Sequence, residues 1–219
     1  MPAFKIGVVG DLHTHWDDID VVQFSRSDYD LLYFTGDLGG GTPESCLRVA
    51  RNLSQLDRNT LVMPGNNDLA DIDEFAAELH HRSGLQAITA IRQGNDDSTP
   101  AKAANINLCG YSLHTFADHG DDFTIVAARP HSMGGPELSF AEHMMQTYGI
   151  ADITESADRL VALVDDTPSE TLLFFSHNGP TGLGEAPEDM WGCDFMPNGG
   201  DWGDPDLRIA IEHAKQIGK

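Results

Sequence analysis

Asp11, His13, Asp37, Asn66 and His177 are residues of metal-binding type, and each follows a short apolar run. Asp11 and His13 stand two residues apart just after Phe4–Val9. In an extended backbone, residues i and i+2 point to the same side, so this pair is expected to reach one point beyond the end of its strand. The set supplies three oxygen and two nitrogen ligands, a mixture suited to Mn, Fe or Zn rather than to Ca or Mg alone. Such ligands serve phosphoester hydrolysis. Attack by hydroxide builds negative charge on the phosphate oxygens, and two cations about 3.5–4 Å apart clamp that charge while acidifying a bridging water. A carboxylate such as Asp37 can bridge the pair.

The elements that must position these residues share one design. Phe4–Val9 leads into Gly10-Asp11-Leu12-His13, and Leu31–Phe34 leads into Thr35-Gly36-Asp37. Leu61–Met63 leads into Pro64-Gly65-Asn66-Asn67-Asp68, and Leu172–Phe175 leads into Ser176-His177-Asn178-Gly179-Pro180. Runs that are apolar on both faces are expected as strands of a parallel or mixed sheet held between layers. Helical patterns separate the first three. Ile19, Val22 and Phe24 give the first its apolar face. Thr42 as N-cap with Pro43 behind it starts the second, whose Cys46, Val49, Ala50 and Leu53 fall at helical spacing. Asp71 to Glu74 opens the third as a capping box, with Phe75, Ala76 and Leu79 on one face. This alternation is the α/β rhythm, in which ligands gather beyond the carboxyl ends of the strands.

From Leu85 to Pro130 the pattern changes. Gln86–Ile91, Asn105–Tyr111 and Phe123–Ala128 are expected as strands of an antiparallel second sheet, with Gly94–Ala101 a polar loop. Helices are expected over Pro136–Tyr148 and Ile153–Val164, the latter capped by Asp152 and Glu155. A long Gly- and Pro-rich loop runs to Gly203. Asp204 as N-cap and Pro205 then start a last helix with the stripe Leu207, Ile211, Ala214 and Ile217, stopped by Gly218.

Composition narrows the function class. Thirteen Lys+Arg against 35 Asp+Glu leave a net charge of −22 over 219 residues. A surface that negative repels nucleic-acid backbones and anionic membranes, so neither is an expected partner. Cys46, Cys109 and Cys193 are odd in number and widely separated, which argues against a disulfide framework and for a reducing compartment. With no leader before Phe4 and no run of membrane-spanning length, the expectation is a cytoplasmic protein.

Taken in order, Gly10-Asp11-Leu12-His13, Gly36-Asp37, Gly65-Asn66-Asn67-Asp68 and Ser176-His177 resemble the motifs of the calcineurin-like metallophosphoesterases. Arg129–Gly135, His177–Gly184 and Gly199–Leu207 look like a subgroup found in cyanobacteria and plants. The resemblance implies an α/β fold, a two-sheet β-sandwich flanked by helices, as one domain over residues 1–219. It also implies two divalent metal ions, with Asp11 and His13 on the first, Asp37 bridging, and Asn66 and His177 on the second. Asp37, Asn66 and His177 are thereby the catalytic candidates. The implied activity is hydrolysis of a small phosphomonoester or phosphodiester.

Two departures stand out. The family often has a histidine after the Asn of its third motif, where it protonates the leaving group, and this chain has Asn67. An amide is no general acid near neutral pH. The family usually closes on Gly-His-x-His, which is not found here, so a C-terminally truncated domain is expected. Both departures leave open an alternative, a catalytically impaired metal-binding or regulatory module. Asn67, Arg129, His131 and Asn178 are the candidate substrate contacts, with a salt bridge the competing role for Arg129. Asp68 is read as a helix cap or a carboxylate behind the metal ligands. His213 and the other histidines default to structural or solvated roles.

Overall fold

The computed structural model describes residues 3–81, 106–118, 121–191 and 198–219. They form two compact units, Ala3–Leu108 and Cys109–Lys219.

In the first unit, strands β1 (Ile6–Val9), β2 (Leu31–Phe34), β3 (Thr60–Val62) and β4 (Ile106–Leu108) make one sheet in that order. All three pairings are parallel, with Val9 opposite Phe34 and Phe34 opposite Val62. Every residue of β2 is buried, as its unbroken apolar run requires of a central parallel strand. Helices α1 (Asp18–Ser25), α2 (Pro43–Leu53) and α3 (Ile72–Leu79) lie between the strands in sequence. Thr42 caps α2 through the Ser45 N–H with Pro43 at its start, and Cys46, Val49, Ala50 and Leu53 are all buried. Together with Leu32, Phe34, Phe75 and Leu79 they form the core of the unit.

The first helix turns a different face inward from the one its spacing suggests. Ile19 and Val22 are 65% and 46% exposed, while Val21 is buried. Trp16 sets this register. Its ring lies 5.2 Å from those of Phe24 and Phe34, which fixes how the chain enters the helix. An Asp17–Asp20 capping box, unanticipated from the sequence, holds that entry.

In the second unit, β5 (Ser112–Asp118) and β6 (Asp121–Ala127) pair antiparallel, and β7 (Thr171–Phe175) joins β6 in parallel. Helices α4 (Ala141–Tyr148) and α5 (Ile153–Asp166) make the crossover that a parallel β6–β7 pair demands. Helix α6 (Pro205–Gln216) follows β7. Met144, Leu160, Val164, Leu207 and Ala210 form this unit's core.

The expectation of two sheets with helices around them holds, but four details differ. The Asn105–Tyr111 strand narrows to Ile106–Leu108 and belongs to the first sheet, pairing in parallel with β3. Ser112–Asp118 is a full strand, and its sequence alternates Leu113, Thr115 and Ala117 with His114 and Phe116, too mixed a pattern to read as buried. The second sheet is mixed rather than antiparallel, because β7 closes it. Helix α4 starts at Ala141, since Phe140 stands in the left-handed region at φ 52° and cannot continue a helix backward. The expected strand Gln86–Ile91 and loop Gly94–Ala101 fall outside the described residues. Among the described residues, no helix is long and apolar enough to cross a membrane.

These packing assignments predict opposite responses to truncation. Leu53→Ala, inside the first core, is expected to cost about 2–5 kcal/mol, and Ile19→Ala about 0.5 kcal/mol or less. Urea unfolding of the two variants checks this.

Candidate metal centre

The ends of β1, β2 and β3 are stitched together beyond the strands themselves. Asp11 N–H donates to Gly36 O (3.2 Å), His13 N–H to Asp37 O (2.8 Å) and Thr14 N–H to Leu38 O (2.9 Å), so loop follows loop as strand follows strand. Gly36 is required here. Its φ is +110°, and a Cβ on it would lie 2.3 Å from the Gly65 nitrogen.

Asp11, His13, Thr14 and Asp37 all have positive φ, at 53°, 43°, 74° and 53°. Left-handed backbone costs an L-residue about 1–2 kcal/mol, and such outliers cluster where a site over-determines them. The expected mechanism of convergence is therefore corrected. Asp11 and His13 do not share a side by extended alternation; a tight left-handed turn brings them round. His13 Nε2 lies 3.9 Å from Asp11 Oδ1 and 3.7 Å from Asp37 Oδ2. With cation–ligand bonds of about 2.0–2.2 Å, two atoms about 4 Å apart can share an ion, so His13 stands within that reach of each carboxylate in turn. The side chains of Asp11 and His13 are 68% and 47% exposed and that of Asp37 is 5% exposed, which gives the cluster one anchored and one accessible flank.

Two neighbours hold it. Asp68 is fully buried and accepts the N–H groups of Leu38 (3.1 Å), Gly39 (3.0 Å) and Gly65 (3.0 Å). Burial pushes its carboxyl above the usual range, although those three bonds oppose the shift. Asp68 is thus a clamp between two loops rather than a ligand. Asn67 donates its backbone N–H to Asp37 Oδ1 (2.9 Å) and its side-chain Nδ2 to Asp37 Oδ2 (2.6 Å). Asn67, expected as a substrate contact, is therefore engaged with the Asp37 carboxylate. Nothing in the Gly65-Asn66-Asn67-Asp68 string says which of its two amides turns inward. Asn66, half-buried, occupies the same turn.

The remaining candidates lie in the second unit. His177 follows β7 and is half-buried. Asn178 Nδ2 donates to Ser132 O (3.0 Å) and Ser132 Oγ (3.1 Å), tying the loop after β7 to the loop after β6. Arg129 is 1% exposed, with Nε on Asp206 (2.8 Å) and Nη2 on Asp204 (2.7 Å). Of its two expected roles, the salt bridge is the one seen, with the buried guanidinium facing Asp204 and Asp206. Asp206 in turn accepts from Ser156 Oγ, which meets Tyr111 Oη at 2.7 Å. Asp204, expected as a helix cap, makes no side-chain bond to α6 because Arg129 and Ser132 hold its carboxylate. His131 is fully buried in left-handed backbone at φ 57°. Its Nε2 lies 3.3 Å from Tyr148 Oη and 3.3 Å from His143 Nε2, a contact sequence spacing does not foreshadow. His213, expected to be solvated, pairs with Asp165 at 2.7 Å.

A family model for calcineurin-like phosphoesterases matches residues 4–213. This chain belongs to that family. Solved structures similar to this phosphoesterase include TT1561 of Thermus thermophilus, at 15% identity and a TM-score of 0.54, over 96% of this chain and 77% of that one. Another, at the same identity and TM-score, is matched over 80% of its length. At that identity the likeness shows the fold alone, α/β with two sheets flanked by helices. No curated protein matches.

The buried pair in the second unit carries a pH signature. Burial pushes Asp204 from the ordinary 3.8 up to about 6, with Arg129 opposing the shift. The folded chain then holds this proton more tightly than the unfolded chain. The stability it contributes is present below about pH 4 and is lost as pH rises towards 6. In Asp204→Asn, the fall of stability between pH 4 and 6 is expected to be shallower than in the wild type by on the order of 1–3 kcal/mol. Urea unfolding across that range measures it.

Proposed function

We propose that this calcineurin-like phosphoesterase is a metal-dependent hydrolase of small phosphomonoesters or phosphodiesters, using two divalent ions of Mn, Fe or Zn. Asp11, His13, Asp37, Asn66 and His177 are the proposed ligands, with Asp37 bridging and Asp37, Asn66 and His177 central to catalysis. The observation that carries the reading is the convergence of Asp11, His13 and Asp37 on strained left-handed backbone. The first-row preference of a mixed oxygen–nitrogen set supports the choice of metal, and family membership supports the full ligand set.

When bound, the two cations supply a clamp for charge building on the phosphate oxygens and acidify a water between them. The chain's own residues do the rest. Asp37 stays fixed on its buried flank while Asp11 and His13 face solvent, where a small anionic substrate approaches. A net charge of −22 disfavours polyanions such as nucleic acids and anionic membranes as partners. Asn67 offers no acidic proton to a departing group, so preferred substrates are those whose leaving groups depart without help. A cytoplasmic setting agrees with the free, buried thiols of Cys46 and Cys109.

Hydrolysis of bis(4-nitrophenyl) phosphate with Mn²⁺ tests the reading. Asp37→Asn is expected to lower the rate about 100-fold or more, and equal activity in both proteins sinks it. Across aryl phosphates, the rate is expected to fall steeply as the leaving-group pKa rises. The commitment of Asn67 to Asp37 also favours a second reading, a metal-binding module without turnover. Two tightly bound Mn²⁺ ions with no hydrolysis of any aryl phosphate would select it.

A further inference from the structure

We infer that Asn67 is a positioning residue for Asp37, which it holds in the orientation the metal centre needs. The functional side of this inference rests on the proposal that Asp37 is a metal ligand. The geometry stands without it.

One residue addresses both oxygens of one carboxylate, at 2.9 Å from the backbone and 2.6 Å from the side chain. An ionised carboxylate only accepts hydrogen bonds, so the amide nitrogen must face Asp37. The amide oxygen points the other way, 3.6 Å from where a Cβ on Gly41 would sit. Asn67 is itself fixed, because the turn it occupies closes with Asp68 N–H on Gly65 O (3.2 Å) and is clamped by the Asp68 carboxylate. Orientation therefore passes from the buried Asp68, through the turn and Asn67, to Asp37.

The arrangement explains why an amide serves at this position. A bridging carboxylate must present oxygens to two cations, and Asn67 addresses each oxygen of Asp37 with a single donor. Being neutral, the amide steadies the carboxylate without adding positive charge beside the metals.

Two measurements test this. In the metal-free protein, the side-chain amide signal of Asn67 in a ¹H–¹⁵N spectrum is expected to be shifted downfield and to lose that shift in Asp37→Ala. A signal insensitive to Asp37 overturns the inference. Relative to the wild type, Mn²⁺ affinity by calorimetry is expected to fall about 10–100-fold in Asn67→Ala, with kcat at saturating Mn²⁺ changing less and circular dichroism confirming folding. Unchanged Mn²⁺ affinity with a raised KM would make Asn67 a substrate contact and overturn the inference. If the wild type binds no Mn²⁺, the hydrolase proposal fails on its own, and the amide signal still decides whether Asn67 holds Asp37.

Discussion

The first unit depends on one buried carboxylate, that of Asp68. Three backbone N–H groups from two loops converge on the Asp68 carboxylate, and no apolar residue could replace it, because those donors would be left unsatisfied at about 1–3 kcal/mol each. The bonds reach the loop after β2 and the turn after β3 at once. They set the distance between the segments carrying Asp37 and Asn66 more firmly than strand pairing can, since pairing ends at Phe34 and Val62. Burial makes the clamp stiff: a hydrogen bond in a low-dielectric surround holds harder than it would in water.

Around that clamp the first unit tolerates four strained residues among those described. At about 1–2 kcal/mol each, Asp11, His13, Thr14 and Asp37 spend an appreciable share of what a domain of this size has in reserve. The inter-loop hydrogen bonds offset part of it. A site assembled this way differs from one built on regular strands. Its side chains are aimed by backbone conformations that would relax if the loops came apart, so loop integrity and ligand geometry are one property.

Much of this was legible in the sequence, for identifiable reasons. Apolar runs such as Leu31–Phe34 announce buried parallel strands, and Asp11, Asp37, Asn66 and His177 stand where α/β sheets place ligands. Thr42 and Pro43 mark the start of α2 unambiguously. Other features had no local signal. The choice of Val21 over Ile19 for the core follows from Trp16 packing, a tertiary contact. The left-handed turn at Asp11–His13 is invisible because neither residue is glycine. The inward turn of Asn67 follows from a partner 30 residues away, and the partners of Arg129 lie 75 and 77 residues on.

That last separation has a bearing on how the second unit comes together. Arg129 lies two residues past β6 and Asp206 sits in the first turn of α6, so their contact closes a loop containing α4, α5 and β7. Closing so long a loop costs chain entropy that only later contacts recover, and until it closes, the guanidinium and both carboxylates keep their water. Docking of α6 is thus also a dehydration event, in which three charged groups shed hydration together. The apolar face of Leu207, Ala210 and Ala214 and the ionic core therefore share one helix, and lifting that helix would expose the first and rehydrate the second together.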